Sequence, residues 1–136
     1  MLQHYFVGAM TTITRTKNGI TAQNESKTLT VHADMWLTQG LRIQIDYKSE
    51  ECATTLSFLN NISHDDWQSL FDATKTAQKM HDPDGHVSVH ADVDTLTIAT
   101  CVVYEKDNRD SVSETYLKLK KALIVPLLKE VLDWHP

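Results

Sequence analysis

The chain has 136 residues, 41% of them apolar and 23% charged, with only 4 Gly and 3 Pro. That is the size and composition of one globular α+β domain spanning 1–136 that folds without a disulfide or metal staple, and it excludes collagen-like, linker-rich and low-complexity chains. A net charge of −5 sets aside general nucleic-acid binding, which needs a basic face.

The opening stretch, MLQHYFVGAM, has neither the basic segment nor the long apolar run of a signal peptide. The densest apolar run, Ala122–Leu128, is too short to span a bilayer. A cytoplasmic protein with no membrane contact is expected. Cys52 and Cys101 show no CxxC or zinc spacing, so free thiols packed as small hydrophobes are expected.

Thr, Val and Ile in alternation mark the first two-thirds as strand-rich. A strand around Tyr5–Lys17 meets a second one from Ile20 through Lys17-Asn18-Gly19-Ile20, where Asn-Gly suits the positive φ of a type I′ turn. Asn24-Glu25-Ser26 reads as a break. In Thr28–Leu37 the apolar set Leu29, Val31, Ala33, Met35, Leu37 alternates with Thr28, Thr30, His32, Asp34, Trp36. In Leu41–Ser49, Leu41, Ile43, Ile45, Tyr47 alternate with Arg42, Gln44, Asp46, Lys48. A three-residue loop, Thr38-Gln39-Gly40, pairs Leu37 with Leu41 and Met35 with Ile43, and puts Gly40 where positive φ is required. The polar face then pairs Trp36 with Arg42, His32 with Asp46 and Thr30 with Lys48.

Cys52–Leu59 reads as a third strand after this hairpin. Ser63 followed by Asp66, with Ile62 and Trp67 at the staple positions, starts a helix whose stripe is Trp67, Leu70, Phe71, Thr74 and Ala77 and which ends at Asp82-Pro83-Asp84-Gly85. His86–Val93 alternates again. Leu96–Glu105, apolar on both faces, reads as a central strand. After a polar turn, Lys106–Asp110, Ser111 and Glu114 are read as capping a last helix running to about Trp134, kinked near Pro126. The resulting fold is an antiparallel sheet of five to seven strands with two helical segments packed on one face.

One weak internal repeat stands out: Thr30-Val31-His32-Ala33-Asp34 and Ser88-Val89-His90-Ala91-Asp92, 58 residues apart. His32, Asp34, His90 and Asp92 share one side of each strand. If the strands adjoin, two imidazoles and two carboxylates could hold a divalent metal and activate water, the basis of a small metal-dependent hydrolase. The bland alternative, outward polar residues on half-exposed strands, weighs more. Arg15, Lys17, Lys27, Arg42 and Lys48 concentrate on the N-terminal strands with Trp36 among them. Arg15, Trp36, Arg42 and Lys48 are the candidate platform for a phosphate, a nucleotide or an acidic peptide, against the plainer reading of a solvated sheet face. There is no GxGxxG, no P-loop and no GxSxG elbow, and no cofactor is called for.

The over-apolar last helix suggests a homo-oligomer, with Ile124, Leu128 and Leu132 at the contact. The favoured expectation is therefore a non-catalytic binding protein acting as a small acidic homo-oligomer, in the manner of inhibitors, immunity proteins and chaperones, whose size and charge it shares without any common motif. A nucleotide- or phosphate-binding module and the small hydrolase are the alternatives.

Overall fold

A computed structural model describes residues 11–37, 40–72, 74, 77–82, 85–106 and 109–134. The fold is α+β with purely antiparallel sheets. In chain order the elements are β1 (Thr11–Arg15), β2 (Gly19–Asn24), β3 (Leu29–Met35), β4 (Leu41–Lys48), β5 (Ala53–Leu59), α1 (His64–Phe71), β6 (Ala77–Asp82), β7 (Gly85–Ala91), β8 (Thr95–Lys106), β9 (Arg109–Lys120) and α2 (Lys121–Leu132). The strands form two meanders, a five-stranded sheet β1-β2-β3-β4-β5 and a four-stranded sheet β6-β7-β8-β9. The chain divides into two compact units: the five-stranded sheet with the segment from Ala122 onward, and Asn61–Lys121. No helix among the described residues is long and apolar enough to cross a membrane.

In the first unit the alternation read from sequence sets the faces. Ile20 and Ala22, Leu29, Val31 and Ala33, Ile43 and Ile45, and Leu56 and Phe58 are buried on one side of β2 to β5. Each fully buried aliphatic side chain contributes roughly 1.5–3 kcal/mol relative to exposure. The stripe Ile124, Leu127, Leu128, Val131 and Leu132 of α2 is buried as well, at helical spacing. Pro126 lies inside this helix. Arg15 of β1 reaches Glu130 of α2 at 3.4 Å.

Two of the first three turns depart from the sequence reading. The β1–β2 connection closes one step earlier than expected, with the Thr16 N–H donating to the Gly19 carbonyl at 2.8 Å. Neither Asn18 nor Gly19 has positive φ, so no type I′ turn forms there. Gly19 is required for another reason: a Cβ on it would lie 2.8 Å from the Ala33 carbonyl oxygen of the neighbouring strand. At the break after β2, Asn24 accepts from the Lys27 N–H through its backbone and from the Leu29 N–H through its side chain.

The β3–β4 register is also corrected. Met35 lies opposite Leu41, Ala33 opposite Ile43, Asp34 opposite Arg42 and His32 opposite Gln44. The connection therefore sits one position earlier than expected: the Trp36 N–H on the Gly40 carbonyl at 2.8 Å leaves three residues, 37–39, between the closing pair. Thr38 and Gln39 lie outside the described residues. The slip is two residues, an even number, so every side chain keeps its face. Gly40 does have positive φ, 114°, and Leu37 joins it at 50°.

In the second unit, Ser63 caps α1 and accepts from the Asp66 N–H at 3.2 Å, as the capping pattern indicated. Trp67 and Leu70 are buried, and Trp67 stacks on Phe71 with ring centroids 5.7 Å apart. The helix stops at Phe71 instead of continuing to Asp82, and Ala77–Asp82 is strand β6. Lys121 Nζ donates to the Phe71 carbonyl at 2.9 Å, satisfying the helix end. β8 is central, flanked by β7 and β9.

The largest correction is β9. Arg109–Lys120 is a strand, so Ser111 and Glu114 cap no helix. Leu117 and Leu119 are buried while Glu114, Tyr116, Lys118 and Lys120 are exposed, a period of two. Reading these leucines with Leu123 and Ile124 as one helix inflated its apolar arc. Ile124, Leu128 and Leu132, expected at an oligomer contact, are 1%, 0% and 4% exposed within the single chain. They are core residues, and no uncovered helical face remains for them to form.

The element order repeats along the chain: β2 to β5 followed by α1, then β6 to β9 followed by α2. Val31-His32-Ala33 and Val89-His90-Ala91 fall on corresponding strands, β3 and β7, with Asp34 inside its strand and Asp92 just past the end of β7.

Candidate functional site

The outer face of the five-stranded sheet carries the candidate site. Even-numbered positions of β3 and β4 point away from the apolar side because their odd-numbered neighbours are buried. With Thr21 of β2 and Thr55 of β5 they form a polar field across four adjacent strands.

His32 is its centre. Its Nδ1 lies 2.9 Å from Thr21 Oγ1, and its Nε2 lies 3.1 Å from Asp46 Oδ2. Asp46 also accepts from Thr55 Oγ1 at 2.7 Å and from the Gln44 side-chain amide at 3.3 Å. His32 reaches Asp46 diagonally, since Gln44 is the residue directly opposite. A hydroxyl, an imidazole and a carboxylate thus follow one another across β2, β3 and β4. This order holds the imidazole between the hydroxyl and the carboxylate.

Beside it, Arg42 is held from two sides. Its Nε and Nη2 donate to Asp34 Oδ1 and Oδ2 at 3.0 and 2.7 Å, a bidentate pair, and its guanidinium sits 4.4 Å from the Trp36 ring centre. Gly19 stands opposite Asp34 in the pairing of β2 with β3. A shallow hollow of about 260 Å³, lined by Gly19, Thr21, His32, Asp34, Arg42 and Gln44 among others, opens on this cluster. A second, of about 300 Å³, lies on the other side of His32 and is lined by Lys27, Lys48, Thr28, Thr30, Thr54 and Asp46 among others.

Of the four platform residues named from sequence, Trp36, Arg42 and Lys48 belong to this region. Arg15 does not. It pairs with Ile20 across β1 and β2, so its side chain lies on the apolar side of the sheet, where Glu130 neutralises it. Arg42 is itself matched by Asp34, so an anion reaching it competes with a carboxylate already in place.

The proposed metal set is not assembled by strand pairing. β3 lies in the five-stranded sheet and β7 in the four-stranded sheet, so strand pairing does not set His32 and Asp34 beside His90 and Asp92. His32 and Asp34 are engaged by Asp46 and Arg42 instead, and the Asp92 N–H closes the β7–β8 turn on the Thr95 carbonyl at 2.9 Å. Among the described residues no group of three or more His, Cys, Asp or Glu could hold a metal ion.

Thr21 and Thr55 were not singled out from sequence. Both lie on the polar face, opposite His32 and Asp46, and their role depends on β2 and β5 flanking the β3–β4 hairpin, which is a matter of topology. No family model, curated protein or solved structure matches the chain.

Proposed function

We propose that the chain is a non-catalytic binding protein, acting as a small acidic homo-oligomer, and that the outer face of its five-stranded sheet holds the partner. The observation that carries this reading is the Asp34–Arg42–Trp36 stack. Trp and Arg are the residues most often dominant in protein contacts, and here both are half-exposed and already fixed in one geometry, which lowers the ordering cost of association. A carboxylate-bearing peptide segment of the partner can replace Asp34 on Arg42 while an apolar side chain packs on Trp36.

Native mass spectrometry of the protein isolated from its own cells tests this. A stoichiometric polypeptide partner is expected with the wild-type chain. It should be lost with Arg42→Glu, whose circular dichroism should match the wild type. Equal recovery with both proteins would sink the assignment of this face.

A phosphate or nucleotide ligand is the second reading, favoured by the hollow that joins Lys27 and Lys48 to the Thr28, Thr30 and Thr54 hydroxyls. Titration with inorganic phosphate and with ADP should then shift the amide resonances of Lys48 and His32 at low salt. Lys48→Glu should remove the response.

A further inference from the structure

The long edge strand of the second unit carries a separate consequence. β9 has 12 residues and, among the described residues, β8 on one side only. Its register with β8 runs unbroken from Thr95↔Lys120 to Lys106↔Arg109, with no bulge, and the strand contains no proline. Its outer end is open: Ser111 to Glu114 are exposed, Val112 is 61% exposed and Tyr116 is 68% exposed. Natural edge strands are usually short, bulged or proline-bearing, because an unpaired ladder invites another strand.

One hydrogen bond fixes which backbone groups are free. The Lys121 N–H donates to the Asp94 carbonyl at 2.8 Å, one step beyond the Thr95↔Lys120 pair. Residues facing the neighbour alternate with residues facing away in an antiparallel ladder. Odd-numbered positions of β9 therefore bond to β8. The N–H and C=O groups of Val112, Glu114, Tyr116, Lys118 and Lys120 point to the open edge. The other side of β8 agrees: the Asp92 N–H on the Thr95 carbonyl turns the odd positions of β8 toward β7, leaving its even positions for β9.

We infer that β9 pairs antiparallel with β9 of a second copy about a twofold axis at Tyr116, joining two four-stranded sheets into one of eight. This gives the homo-oligomer of the preceding section its interface and rests on that reading. Charge disfavours two of the neighbouring registers. A pairing centred on Glu114 or on Lys118 sets like charges against each other. Centred on Tyr116, Glu114 of each copy faces Lys118 of the other, Tyr116 faces its own counterpart, and Val112 lies against the stem of Lys120. Opposite charges directly across a ladder stabilise it and like charges weaken it. All five edge-facing residues find partners, for about ten main-chain hydrogen bonds across the twofold. Lysine near an edge discourages pairing with arbitrary strands; Glu114 placed two residues before Tyr116 makes the same edge complementary to itself.

Sedimentation velocity on the full chain at micromolar concentration tests this. A species of twice the 15.4 kDa chain mass is expected. Tyr116→Pro removes an N–H that β8 does not use, so it should leave circular dichroism unchanged and yield the monomer. Glu114→Lys should weaken the dimer by roughly tenfold. Adding Lys118→Glu to it should restore the wild-type affinity, an outcome that does not depend on Tyr116→Pro folding. A wild-type monomer overturns both the interface and the homo-oligomer. A dimer that survives Tyr116→Pro, or a charge swap that fails to restore pairing, overturns the interface alone and leaves the homo-oligomer standing.

Discussion

Replacing Asn24 by Ala removes one side chain that closes the β2–β3 turn three times. Asn24 is buried at 8% exposure. Its Oδ1 accepts from the N–H of Leu29, itself fully buried, at 3.1 Å. Its Nδ2 donates to Ser26 Oγ at 2.9 Å and Thr28 Oγ1 at 3.1 Å. The backbone carbonyl of Asn24 is taken by Lys27, so the side chain stands in for it toward Leu29. In the Ala variant the Leu29 N–H loses its acceptor in a place water does not reach, which costs about 1–3 kcal/mol. The two hydroxyl contacts are replaced by water at small net cost. The sum is about 2 kcal/mol, or roughly an 8 °C fall in Tm for a chain of this size. Urea unfolding followed by tryptophan fluorescence should show a lower midpoint with an unchanged slope. Hydrogen exchange should find the Leu29 amide among the most deprotected. Gln23→Ala, one position away on the outer face, serves as the control and should stay within about 0.5 kcal/mol. A loss below 0.5 kcal/mol for Asn24→Ala, or an unchanged Leu29 amide, would refute the reasoning.

Other substitutions separate causes that look alike in sequence. Gly19→Ala should destabilise by about 1–2 kcal/mol in thermal melts, because its Cβ meets the Ala33 carbonyl at 2.8 Å, whereas Gly40→Val should cost about 1–3 kcal/mol with open space around it, through the 114° φ alone. Lys121→Met keeps the apolar stem but loses the ammonium bond to the Phe71 carbonyl, for an expected loss of about 2 kcal/mol by urea unfolding. Of the two free thiols, exposed Cys52 should react with a disulfide reagent well before the half-buried Cys101. Equal rates would contradict the burial of Cys101.

The sequence by itself determined faces, because a period of two or of 3.6 is a local property. Val31 inward and His32 outward, Ser63 as a cap and Gly40 at positive φ all follow from neighbours a few residues away, and the structure has each of them. The α+β class followed for the same reason. The β3–β4 register did not: a slip of two residues preserves both faces, so the pattern could not choose between Ile43 and Leu41 opposite Met35. Nor could periodicity separate strand from helix in Tyr116–Ile124, where Leu117 and Leu119 fit the strand and Leu119 with Leu123 fits a helical turn. Tertiary structure decided that boundary through the pairing of Leu117 with Ile98 and Leu119 with Leu96, both buried on central β8. It also decided the site. His32, Thr21 and Asp46 lie up to 25 positions apart, and only the order β2-β3-β4 brings hydroxyl, imidazole and carboxylate into one line. The division into two sheets separated His32 from His90 as paired neighbours, since which strands pair is set by long-range burial that no local pattern encodes.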